Sequence, residues 1–165
     1  MLAPVLVFAI GNESRGDDAL GPLLLRKLGA WLVSEGLVDR VELLEEFQLQ
    51  IEHILDMKNR KLVLFIDAGM DMHSPYVFYR ATPCRGALLY SHALTPEALL
   101  KIAQSSFENH PDAFVLCIRG VTFELGDAPT AEALENLSAA LELVKKLMVK
   151  PDAAHWERQC LDHTA

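Results

Sequence analysis

Two adjacent acids, Asp17 and Asp18, follow an apolar run and a tight turn in VLVFAIGNESRGDDALG (residues 5–21). The apolar run ends in Gly11-Asn12, a short polar loop follows, and the acids stand where a helix begins. The segment therefore reads as a strand, a turn and two carboxylates at a helix N-terminus. In an open α/β sheet, ligands bind beyond the C-terminal ends of the strands. A pair of carboxylates there attracts a cation and repels an anion. Gly11 and Gly16 share the first-to-last glycine spacing of a phosphate-binding P-loop, but Asp17-Asp18 stand where Lys-Ser/Thr would be needed. That reverses the sign of the site and argues against nucleotide binding. Helix capping, worth roughly 0.5–2 kcal/mol, accounts for one acid but not for the pair beside Gly11-Asn12.

Two further residues have the types and placement to join them. LVLFIDAG (62–69) is an apolar strand ending in Asp67. A carboxylate at the end of such a strand is costly to bury unless it is paired, capped or bound to a cation. LLYSHALTP (88–96) carries His92 just before a helix. Each has an ordinary reading: Asp67 as the cap of the next turn, His92 as a surface histidine. Together, Asp18, Asp67 and His92 could converge on one sheet edge as a mixed oxygen and nitrogen site. Such a site suits a borderline divalent ion such as Ni²⁺, Zn²⁺, Mn²⁺ or Fe²⁺.

The other candidates are weaker. His53 in QIEHIL reads as solvated or packed, and His73 with Asp71 as auxiliaries near Asp67. His110, His155 and His163 read as solvated. Glu45-Glu46, with Gln48 and Glu52, read as an acidic solvent face. No G-x-S-x-G elbow is present and no cysteine has a catalytic context, which disfavours Ser or Cys nucleophiles.

The elements that must position these residues alternate between strand and helix. The pattern predicts strands over 4–10, 41–45, 62–67, 77–80, 87–91 and 113–119. It predicts helices over 19–34, 49–57, 96–106 and 130–149. Thr95-Pro96-Glu97 and Thr130-Ala131-Glu132 are helix starts. The expectation is a single doubly wound α/β domain over residues 1–150. Its sheet has five or six strands, mostly parallel, with helices on both faces and 77–80 as an antiparallel edge. Residues 151–165 follow a proline without clear periodicity and read as a poorly ordered tail.

Composition narrows the classes. The chain has 165 residues, 51% hydrophobic, enough for one sizeable core. A formal net charge of −8 opposes binding to nucleic acid or an anionic membrane surface. No stretch is long and apolar enough for a membrane span. The apolar N-terminus reads as a first strand and not as a signal peptide. Three widely spaced cysteines, Cys84, Cys117 and Cys160, suggest a reducing cytoplasm and not a disulfide framework. Cys117, in FVLCI, reads as a buried hydrophobe.

GNESRGDDALGP, LFIDAG, SHALTP and FELGDAPTAEALENL, in this order and spacing, resemble the hydrogenase maturation protease family. The resemblance spans about residues 4 to 149. It implies an endopeptidase, of the aspartic type, that activates its target. The enzyme removes a C-terminal extension from the large-subunit precursor of a [NiFe]-hydrogenase once nickel is installed. The Ni²⁺ would belong mainly to the substrate and serve as the recognition signal. The family's ligands fall on Asp18, Asp67 and His92, as metal-directed and catalytic residues. Position 18 is often Glu in the family, so Asp18 reaches about one methylene less. EEFQLQIEHILDM looks most like the branch serving soluble, NAD-linked hydrogenases. Where other branches carry Asp-Gly-Gly-Thr, this chain has Glu45-Glu46-Phe47-Gln48. A monomer is expected. The rivals are a non-enzymatic nickel-binding checkpoint or chaperone, and a metal-dependent hydrolase of small molecules.

Overall fold

The computed structural model describes residues 2–83 and 94–161. Within them, five strands form one sheet in the order β2-β1-β3-β5-β4. Strand β1 (Val5–Ile10) is buried at every position, as its unbroken apolar run requires of a strand covered on both faces. On either side it pairs in parallel with β2 (Val41–Glu46) and β3 (Leu62–Gly69). Strand β5 (Asp112–Arg119) continues the parallel set beside β3, and β4 (Tyr76–Arg80) closes the edge antiparallel to β5.

Alternation along the strands divides the core in two. Val5, Val7, Ala9, Leu64, Ile66, Leu116 and Ile118 face α1 (Leu20–Glu35), α4 (Ala131–Val149) and α5 (Ala153–Leu161). Leu6, Phe8, Val63, Phe65 and Val115 face α2 (Ile54–Met57) and α3 (Pro96–Ser106). The two helix starts read from threonines are present. Thr95 Oγ1 accepts from the Ala98 N–H at 3.1 Å, and Thr130 Oγ1 from the Ala133 N–H at 3.2 Å. No helix is long and apolar enough to cross a membrane among the described residues.

Two expectations change, and a third falls outside the described residues. The helix expected over 49–57 is a 3₁₀ turn at Ile51–His53 followed by the single turn of α2. The strand expected at 87–91 lies outside the described residues, as do His92, Cys84 and His163. Part of the expected tail is the helix α5. Asp152 starts it, accepting the His155 N–H on Oδ1 at 2.7 Å and the Trp156 N–H on its carbonyl. Trp156, 0% exposed, then fastens it to the core. A nine-residue helix held by one aromatic anchor carries too short an apolar stripe to be read as periodic.

Candidate active site

The chain passes from β1 through α1 to β2 on one side, then returns past β1 to β3 and onward to β5. The strand order reverses between β1 and β3, and the crevice outside their C-terminal ends is where doubly wound folds bind ligands. Asp18 arrives there from the loop after β1, and Asp67 from the end of β3.

The loop carrying Asp18 is bonded to itself. Asn12 N–H donates to Asp18 Oδ2 at 2.7 Å, and Ser14 N–H to Asn12 Oδ1 at 2.9 Å. Arg15 N–H donates to Asn12 O, and Asp18 N–H to Arg15 O. Gly11 permits the tight return: a Cβ there would lie 2.1 Å from the Asp18 carbonyl oxygen. Asp18 is half-buried, and Oδ2 carries the one hydrogen bond its carboxylate makes among the described residues. The capping reading fails for both acids. The short turn at Gly16–Ala19 and helix α1 each start without a side-chain cap. Asp17 is turned away from the crevice and fully buried against the loop between β5 and α4.

Asp67 continues the Val63 and Phe65 side of β3, facing the α3 layer. Oδ1 accepts the Ala68 N–H at 2.8 Å, so part of the local-cap reading holds. Its pKa is nevertheless pushed up to about 7, mainly by burial and further by repulsion from Asp18, against the Ala68 hydrogen bond. The two carboxylates are thus within electrostatic reach of one another. Cys117 is the register partner of Asp67 on β5. Burial and the neighbouring Asp67 raise its thiol to about 11, which keeps it protonated at neutral pH and unsuited to nucleophilic attack. Nothing in FVLCI foretold that neighbour; only the strand register supplies it.

The remaining candidates separate from the pair. His53 packs edge-on against Phe8, ring centroids 4.7 Å apart, and its Nδ1 accepts the Gln50 N–H at 2.9 Å. Its Nε2 lies 3.9 Å from Glu46. Glu45 is exposed and shares Arg26 with Glu13. No group of three or more His, Cys, Asp and Glu side chains could hold a metal ion among the described residues. Asp18 and Asp67 are the two members of the expected triad that can be placed. A groove of about 910 Å³ lies at the opposite edge of the sheet, lined by Leu2, Pro4, Leu32, Val33 and Val41. Its mostly apolar wall lies away from the acid pair.

The chemistry of the pair follows from its charge. A half-buried carboxyl whose pKa is raised to about 7 beside a second acid is relieved by a divalent cation, which offsets the repulsion between the two carboxylates. Without a cation the same group destabilises the fold. The folded chain keeps the Asp67 proton to about pH 7, whereas the unfolded chain releases it near 3.8. Stability from this group is therefore present below about pH 4 and lost as pH rises toward 7. Urea denaturation in chelator should show wild type losing stability relative to Asp67→Asn across that window, by a few kcal/mol. Parallel curves for the two proteins would contradict the raised pKa of Asp67.

No protein-family model matches the chain, and no curated protein matches it. Solved structures do. HycI from Thermococcus kodakarensis KOD1, a [NiFe] hydrogenase maturation protease, is 21% identical. The match covers 90% of this chain and 94% of that one, with a TM-score of 0.66. HybD, the hydrogenase maturating endopeptidase from E. coli, is 22% identical over 87% of this chain and 91% of its own, with the same TM-score of 0.66. The hydrogenase 2 maturation peptidase from a Thaumarchaeota archaeon is 23% identical over 87% and 97%, with a TM-score of 0.61. The α/β fold of this chain, five-stranded among the described residues, is the fold of those solved structures, over nearly the full length of each.

Proposed function

We propose that this chain is an endopeptidase that removes the C-terminal extension of a [NiFe]-hydrogenase large-subunit precursor after nickel insertion. A shared fold does not by itself assign a reaction. The observation that carries the reading is the placement of Asp18 and the half-buried Asp67 beyond the C-terminal ends of β1 and β3, within electrostatic reach of one another. That placement suits a protein that must recognise a cation delivered by its partner.

The nickel is cargo of the substrate in this reading. Asp18, with one oxygen held by Asn12, offers the other to it. Asp67 gives up its proton as the cation arrives, and His92 completes the ligand set. A carboxylate so released can take a proton from the attacking water, while the metal polarises the scissile carbonyl. By the resemblance of its EEFQLQIEHILDM segment, the target in this reading is the large subunit of a soluble, NAD-linked enzyme.

Purified protein incubated with nickel-loaded and nickel-free precursor, followed by mass spectrometry, tests the proposal. A single C-terminal cut is expected in the loaded form alone. Binding without cutting would replace the protease with a non-enzymatic checkpoint. Equal cutting of both forms would remove the recognition of nickel.

A further inference from the structure

Asp17 presents no free oxygen to a ligand. It is 0% exposed, and four donors converge on its carboxylate. Oδ2 accepts the Val121 N–H at 2.7 Å, the Thr122 N–H at 3.1 Å and the Thr130 hydroxyl at 2.9 Å. Oδ1 accepts the Thr130 N–H at 2.7 Å. Backbone bonds run beside these contacts. Asp17 N–H donates to Thr122 O, Gly16 N–H to Asp127 O, and Gly126 N–H to Ser14 O. Gly120 makes the approach possible: a Cβ there would lie 2.8 Å from the Asp17 Cβ. The loop before α1 and the loop before α4 are zipped together, with one buried carboxylate at the centre.

Asp18 is the next residue. Its carboxylate is aimed by the Asn12 N–H, which belongs to the same zipped loop. We propose that Asp17 is a positioning residue, whose clasp on residues 121–130 fixes the direction of the Asp18 carboxylate in the crevice. The inference rests on the proposed function for its use, but not for its geometry. An amide at position 17 cannot reproduce the clasp. Asn has one acceptor oxygen, so its NH₂ group must face at least one of the incoming N–H donors. The turn is then free to shift, and Asp18 shifts with it.

The Asn12 amide proton reports the direction of Asp18 directly, through nuclear magnetic resonance of the full chain. In wild type its resonance should lie downfield and exchange slowly with solvent. In Asp17→Asn it should move upfield and exchange at least tenfold faster. Thr130→Val, which deletes one of the four donors, should move it the same way by less. Thr130→Ser, which keeps the hydroxyl, should restore it. Leu147→Ala removes a fully buried side chain of α4. It controls for lost stability and should leave the Asn12 signal in place. On the nickel-loaded precursor, Asp17→Asn assayed below its own melting temperature should lose at least tenfold in kcat/KM, and Leu147→Ala should not. A folded Asp17→Asn or Thr130→Val protein with the wild-type Asn12 signal would overturn the positioning role. If wild type cuts no precursor, the proposed function fails, and the amide signal still decides the role of Asp17.

Discussion

Asp18→Asn should reduce processing of a nickel-loaded precursor at least tenfold while leaving thermal stability unchanged or slightly raised. The structural bond that Asp18 makes survives the change. Its Oδ2 accepts one backbone N–H, from Asn12, and an amide oxygen can accept the same bond. The negative charge is what disappears, and with it part of the repulsion that holds up the pKa of Asp67. A tenfold loss corresponds to about 1.4 kcal/mol of transition-state stabilisation. Single-turnover cleavage and calorimetry on one preparation separate the two effects. Near-normal cutting would reduce Asp18 to a loop-bracing residue and leave Asp67 as the principal acid.

The largest loss of stability should come from the other end of the chain. Trp156→Ala should cost about 3–5 kcal/mol, the usual range for removing a large aromatic from a core. The indole is fully buried and edge-on to Phe114, centroids 5.3 Å apart. Its Nε1–H donates to the Leu147 carbonyl at 2.9 Å, so one side chain ties α5 to both β5 and α4. Phe114 also stacks on Phe78 of β4 at 5.7 Å. The variant therefore leaves a cavity where helix, helix and sheet meet. Urea denaturation measures the loss. A change below about 1 kcal/mol would show that α5 is dispensable to the fold.

Local signals with strong periodicity were legible in the chain. The unbroken apolar runs of β1 and β3 announced a parallel sheet buried on both faces, and two threonines marked helix starts. Asp18 and Asp67 could be singled out as candidates because each follows an apolar strand, and the topology sends such residues to one edge of the sheet. What could not be read depends on contacts distant in sequence. Asp17 read as half of a cation-attracting pair of acids, yet its partners lie 104 to 113 positions away. Cys117 looked like a plain core residue until the register put it beside Asp67. Trp156 sits in a segment whose helical character depends on a docking site made by other elements. Local propensity carries little information where tertiary packing decides.

The position of that last anchor bears on how the protein is made. Phe114 and α4 present an apolar face that stays uncovered until residue 156 is synthesised and docked. A nascent chain that has not yet reached residue 156 therefore leaves Phe114 and α4 without the indole that covers them. Stalled or prematurely terminated products would lack it too, and would be recognisable as unfinished by chaperones and proteases that survey exposed hydrophobic surface.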